Sequence, residues 1–181
     1  MKWAAVRKRL WRGSVVVLLL LILVVAIGMV YQSIASAQDR ETYAPTGQLF
    51  EVNGREMHLY CIGEGSPTVI LESGVGGNTL LWAYIQPAVA ETTRVCAYDR
   101  AGYGWSEVSS RERTTPHIAE ELHLLLTQAG IEPPYILAGH SFGGLVVRTY
   151  ASLYPDELVV LVLIDASHPN QFSSVRCLTT C

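Results

Sequence analysis

AGHSFGG, residues 138–144, is the stretch on which the fold turns. Ser141 stands between Gly139 and Gly143, after the apolar run PYILAG and before SFGGLVVRTYASLYP, which reads as a helix. A Gly-x-Ser-x-Gly alone recurs by chance in glycine-rich loops. At a strand-to-helix junction it carries chemical meaning, because the turn is so tight that the neighbours of the serine must be small. The serine then projects above the sheet, at the positive end of a helix whose free N–H groups can stabilise an oxyanion.

The elements on either side supply that context. Upstream, QLFEVN and REMHLYCIG flank Asn53-Gly54, a hairpin signal. PTVILES and TTRVCAYD are short apolar runs, the signature of strands buried on both faces. LWAYIQPAVAET is expected as a helix bent or interrupted at Pro87, and RAGYGWSE as a loop. RTTPHIAEELHLLLTQAG is the clearest helix. Thr114 or Thr115 can cap it, Pro116 suits its first turn, and Glu120 and Glu121 favour its positive end. Its stripe is Ile118, Leu122, Leu125 and Leu126, and Gly130 stops it. ELVVLVLIDAS is a last strand. From residue 67 the order β-α-β-α-β-α-β predicts an α/β fold, a mostly parallel sheet with helices on both faces.

A second glycine loop supports the serine. Ser73-Gly74-Val75-Gly76-Gly77 follows PTVILE. An oxyanion hole takes one N–H from the residue after the nucleophile and one from a loop after an earlier strand. Phe142 and Val75 are in those positions, with Gly74 letting the backbone come close. Without the serine, the same loop reads as a plain glycine turn.

The segments LESGVGGN, RVCAYDRAGYGWS, LAGHSFGG and LVLIDASHP, in this order, resemble the α/β-hydrolase superfamily, over about residues 48–170. Within it the chain looks like serine esterase or aminopeptidase-type members. The resemblance implies an incomplete α/β-hydrolase fold and hydrolysis of a small-molecule ester or amide through an acyl-enzyme on Ser141. Members acting on epoxides or haloalkanes carry Asp at the elbow, which Ser141 disfavours here. Many members have His-Gly in the oxyanion loop where this chain has Ser73-Gly74.

A serine hydroxyl is a weak nucleophile without a positioned base. In the family the order is Ser, acid, His. Asp165, at the end of the last strand, matches the acid position of some relatives, and a loop-ordering Asp is the alternative. His168 follows that strand on the correct edge of the sheet and is the candidate base. His58 is expected on the surface, remote from that edge. His117 and His123 are expected exposed or packed on their helix, and His140 beside the elbow. Asp99 is expected to pair with Arg100 or the glycine loop. The family histidine is absent from the chain as written, which predicts weak or no turnover. A truncated or frameshifted reading frame after about residue 170 would account for it. The alternative is a non-catalytic, membrane-tethered binding protein that uses the same cleft.

The amino terminus sets the location. Residues 14–31 carry no charge, long enough to span a bilayer core. The preceding Lys2, Arg7, Lys8, Arg9 and Arg12 hold that end in the cytoplasm. Residues 1–37 therefore read as a transmembrane signal-anchor, or as a signal peptide cleaved after Ala35-Ser36-Ala37. Residues 38–47 are expected as a linker and 171–181 as an irregular tail. Beyond residue 37 lie eight arginines, no lysine and all sixteen acids, a net charge of about −8 that argues against a nucleic-acid partner. The cysteine spacings fit no zinc or redox motif, so neither metal nor cofactor is expected. Cys96 reads as a buried small hydrophobe, and Cys177 and Cys181 as a possible pair at the tail.

Overall fold

The computed structural model describes residues 2–171 and divides into two units, 1–44 and 45–181. The first is a single helix, α1 (Lys2–Thr42). Its stretch Trp11–Asp39 has a mean hydropathy of 3.1 and is long and apolar enough to cross a membrane. An export signal near an amino terminus has the same composition. The helix runs through residues 38–42, which the sequence reading placed in a linker.

The second unit is built on a six-stranded sheet in the order β1-β2-β4-β3-β5-β6. Its strands are β1 (Gln48–Glu51), β2 (Glu56–Ile62), β3 (Thr68–Glu72), β4 (Val95–Tyr98), β5 (Tyr135–His140) and β6 (Leu158–Ile164). The β1–β2 hairpin turns at Asn53 (φ 54°) and Gly54 (φ 75°), with Val52 and Arg55 exchanging backbone hydrogen bonds. Two successive positive φ values demand this residue pair. β2 pairs antiparallel with both β1 and β4, and β4, β3, β5 and β6 are parallel.

The inner strands β3, β4 and β5 are covered on both faces because they alternate two apolar sets, whereas the edge strand β6 is largely exposed. Ile70, Cys96 and Leu137 pack with Leu122, Leu125, Leu126, Val147 and Tyr150 of the helices α3 (Thr115–Gln128) and α4 (Gly143–Leu153). Val69, Leu71, Val95, Ala97 and Ala138 pack on the other side with Trp82 and with Val89 of α2 (Ile85–Ala90). Thr114 caps α3, accepting the His117 N–H at 3.5 Å.

Several expectations are corrected. The break in the second predicted helix lies before Pro87, between a 3-10 turn (Thr79–Trp82) and α2, so Pro87 sits in a first turn, where its missing N–H costs nothing. Glu121 is buried and answers two arginines, Arg55 at 2.8 Å and Arg113 at 2.6 Å, so its role is an ion-pair hub and not dipole compensation. Cys96 is disulfide-bonded to Cys61, its partner in the β2–β4 register. The antiparallel pairing sets those two residues opposite each other, which spacing in the chain does not reveal. Cys177 and Cys181 lie outside the described residues.

Candidate active site

Ser141 has φ of 51°, a left-handed backbone that a non-glycine residue adopts only when its surroundings over-determine it. Three backbone bonds do so. The Ser141 N–H donates to Ile164 O at 3.2 Å, and Ser141 O accepts the N–H groups of Gly144 (3.0 Å) and Ser167 (2.9 Å). The turn is closed by close approach. A Cβ on Gly139 would lie 2.6 Å from Val147 Cγ2, and one on Gly143 would lie 2.5 Å from Glu72 O. Gly144, just beyond the Gly-x-Ser-x-Gly spacing, is needed as well, because a Cβ there would overlap Ala166.

The loop after β3 meets this turn directly. A Cβ on Gly74 would stand 3.2 Å from both Ser141 Cβ and His140 Nδ1, so Gly74 lies against the serine. Gly76 has φ of 74°, and the Gly77 N–H donates to Gly74 O at 3.2 Å. Val75 is exposed at the top of this loop, and Phe142 heads α4. His140 Nδ1 is buried and has no hydrogen-bond partner among the described residues.

A buried ionic network that sequence reasoning missed lies under the loop. Arg100 donates to Glu72 Oε1 (2.7 Å), to Ser73 O (2.8 Å) and to Gly74 O. Tyr98 donates its hydroxyl to Glu72. The Arg100 guanidinium lies 5.2 Å from the centre of the Tyr103 ring and 5.4 Å from that of Phe142. Burial raises the Glu72 carboxyl to about 7, outweighing the opposing pull of Arg100 and of the Tyr98 hydrogen bond. The one legible signal was a carboxylate closing an otherwise apolar strand.

Of its two expected partners Asp99 takes the glycine loop, and among the described residues it forms no ion pair with Arg100. Its carboxylate accepts the N–H of Thr79 (2.7 Å) and of Trp105 (3.0 Å) and contacts His58 Nδ1 at 3.0 Å. His58 is fully buried, not on the surface, and lies near the carboxyl edge of β4, because antiparallel β2 brings its first residues there. His58 Nε2 accepts the Gly47 N–H at 3.2 Å, so Nδ1 carries the proton that Asp99 receives.

Asp165 and His168 are both exposed. Asp165 has φ of 41° at the end of β6, in the segment that Ile164 and Ser167 tie to the Ser141 backbone. His168 Nδ1 accepts the Asn170 N–H at 3.2 Å. Among the described residues no hydrogen bond joins Asp165 to His168 or either of them to the Ser141 side chain. His117 Nδ1 contacts Glu112 O at 2.9 Å, and His123 stacks on Tyr154 and contacts Glu157.

A mostly parallel sheet led by an antiparallel hairpin and wrapped by helices on both faces defines an α/β-hydrolase fold. A family model described as alpha/beta hydrolase fold matches residues 67–176, and the chain belongs to that family. It is similar to the uncharacterized protein YbdG of Bacillus subtilis (strain 168), 29% identical over 175 residues, covering 93% of this chain and 54% of that one. Among solved structures it resembles the epoxide hydrolase CorEH, with a TM-score of 0.62, 29% identity, and coverage of 67% of this chain and 42% of that one. It also resembles a meta-cleavage product hydrolase (CumD) from Pseudomonas fluorescens IP01, with a TM-score of 0.61, 25% identity, and coverage of 66% and 45%. The chain thus spans about half the length of these relatives.

Proposed function

We propose that this protein is a serine hydrolase of small-molecule esters or amides, with Ser141 as nucleophile. The observation that carries the reading is the left-handed backbone of Ser141 on a turn sealed by Gly139, Gly143 and Gly144. Ser141 Oγ attacks the carbonyl carbon, its proton passes to a base, and the oxyanion takes the N–H groups of Val75 and Phe142. Collapse expels the alcohol or amine, which carries that proton away, and water then hydrolyses the acyl-enzyme. Asp165 and His168 are the acid and base candidates at the right edge of the sheet. Their exposure and, among the described residues, their lack of a hydrogen bond to Ser141 support slow turnover, because geometry comes before pKa in a base.

The same observation favours a second reading, a non-catalytic binding protein that holds an acyl ligand in this cleft. The Cys61–Cys96 disulfide supports an oxidising compartment, and with the basic residues at the start of α1 it supports a membrane-tethered or exported domain outside the cytoplasm. The test is p-nitrophenyl acetate hydrolysis and fluorophosphonate labelling of the full chain in detergent, beside Ser141→Ala. Labelling and turnover lost in Ser141→Ala support the hydrolase. Ligand binding unchanged in Ser141→Ala, without turnover in either protein, supports the binding protein.

A further inference from the structure

We propose that Arg100 is a positioning residue for the oxyanion hole, setting the direction of the Val75 N–H by gripping the carbonyl on the other side of the same peptide bond. The inference rests on Ser141 being the nucleophile. In a trans peptide the C=O and N–H point in opposite directions. The cis bonds among the described residues are Ser66–Pro67 and Pro133–Pro134, so the Gly74–Val75 and Ser141–Phe142 peptides are trans.

Gly74 O is drawn inward by Arg100 Nη2 and by the Gly77 N–H. The Val75 N–H of that peptide group must therefore point away from Arg100, toward the exposed side of the loop. The elbow repeats the device. Ser141 O is held by the N–H groups of Gly144 and Ser167, so the Phe142 N–H faces the opposite way. Arg100 touches both halves, because its guanidinium also lies on the Phe142 ring. A charged donor on Gly74 O further polarises that peptide, making its N–H a stronger donor.

Two features make arginine specific here. Nη1 serves Glu72 and Ser73 O while Nη2 serves Gly74 O, a planar fork that lysine lacks. Its side chain is 4% exposed, and Glu72 is fully buried, so the fork is held on a fixed support. A plain ion pair stitching β3 to β4 would need Glu72 alone. The two carbonyls of the oxyanion loop are surplus to that role.

The experiment compares Arg100→Met, Arg100→Lys and Ser141→Ala in the full chain in detergent micelles, by p-nitrophenyl acetate kinetics, thermal melting and the Val75 amide resonance. Loss of one oxyanion donor costs about 100-fold or more, so Arg100→Met is expected to lower kcat by about that factor. KM should stay within roughly twofold, because only transition-state binding is removed. The Val75 amide resonance should move, a readout that does not need turnover. Arg100→Lys, which keeps the charge and loses the fork, should recover only part of kcat. A folded Arg100→Met with wild-type kcat, or with an unmoved Val75 amide, overturns the proposal. If Arg100→Met does not fold, a wild-type rate in Arg100→Lys overturns it. Undiminished turnover in Ser141→Ala overturns the serine reading instead, an outcome that the Arg100 variants alone cannot produce.

Discussion

The carboxyl ends of β4 and β5 carry two contrasting polar arrangements. At the end of β4, Asp99 and His58 form a carboxylate–imidazole pair at 3.0 Å, with the tautomer that a base would need. The pair is fully buried, and the remaining nitrogen is taken by the Gly47 N–H. At the end of β5, Ser141 has a left-handed backbone, but among the described residues no such pair hydrogen-bonds to its side chain. Residue types therefore do not make a base. A histidine acts as one only when its second nitrogen is free and faces the nucleophile. Asp99 and His58 instead stitch the hairpin, the 3-10 turn and the Trp105 loop into one unit.

The largest effect that would break this contrast is at Ser141. Ser141→Ala is expected to remove fluorophosphonate labelling and whatever turnover stands above background, read by p-nitrophenyl acetate hydrolysis. Ser141→Gly should do the same while stabilising the domain by about 1 kcal/mol, because glycine accepts a positive φ without strain. A Ser141→Gly variant that melts lower than wild type would mean the turn is not strained.

Next in size is Asp99→Ala. Removing one member of a buried pair, and orphaning the N–H groups of Thr79 and Trp105, is expected to cost about 3–5 kcal/mol in urea unfolding. If the folded variant loses turnover with no loss of stability, the β4 pair is catalytic after all and the contrast collapses.

Glu72 sharpens the comparison through pH. Its carboxyl is raised from 4.5 to about 7 by burial, against Arg100, Tyr98 and Arg113. Between those values the folded state binds more protons than the unfolded one, so stability falls as pH rises through that window. The contribution is complete below 4.5 and gone above about 7. Glu72→Gln is expected to flatten this slope in urea titrations across the window, and an unchanged slope would place the proton elsewhere. The smallest effect is expected at exposed His168, where His168→Ala should change turnover by no more than about twofold, as at an ordinary surface site. A fall of about 100-fold would instead make His168 the base.

Much of the architecture was legible along the chain. The Asn53-Gly54 turn, the Thr114 cap, the α3 stripe and the strand–turn–helix at Ser141 all depend on residues within a few positions of one another. The need for Gly144 was not legible, because it arises from Ala166, in the segment after β6 that the strand pairing brings beside the start of α4. His58 was misplaced for the same reason. Its neighbours Asp99 and Ser106 are 41 and 48 residues away and are reached only through the antiparallel β2–β4 register.

By itself the sequence determined the order of elements, the apolar amino-terminal helix and a serine at a strand-to-helix turn, because hydrophobic period and glycine placement act locally. Only the tertiary structure decided that Cys61 meets Cys96, that His58 is sealed against Asp99, and that Glu72 and Arg100 lie beneath the glycine loop after β3. Those pairings follow from which strands lie side by side and in what direction. A carboxylate or imidazole carries no mark of its partner until the sheet has chosen its neighbours.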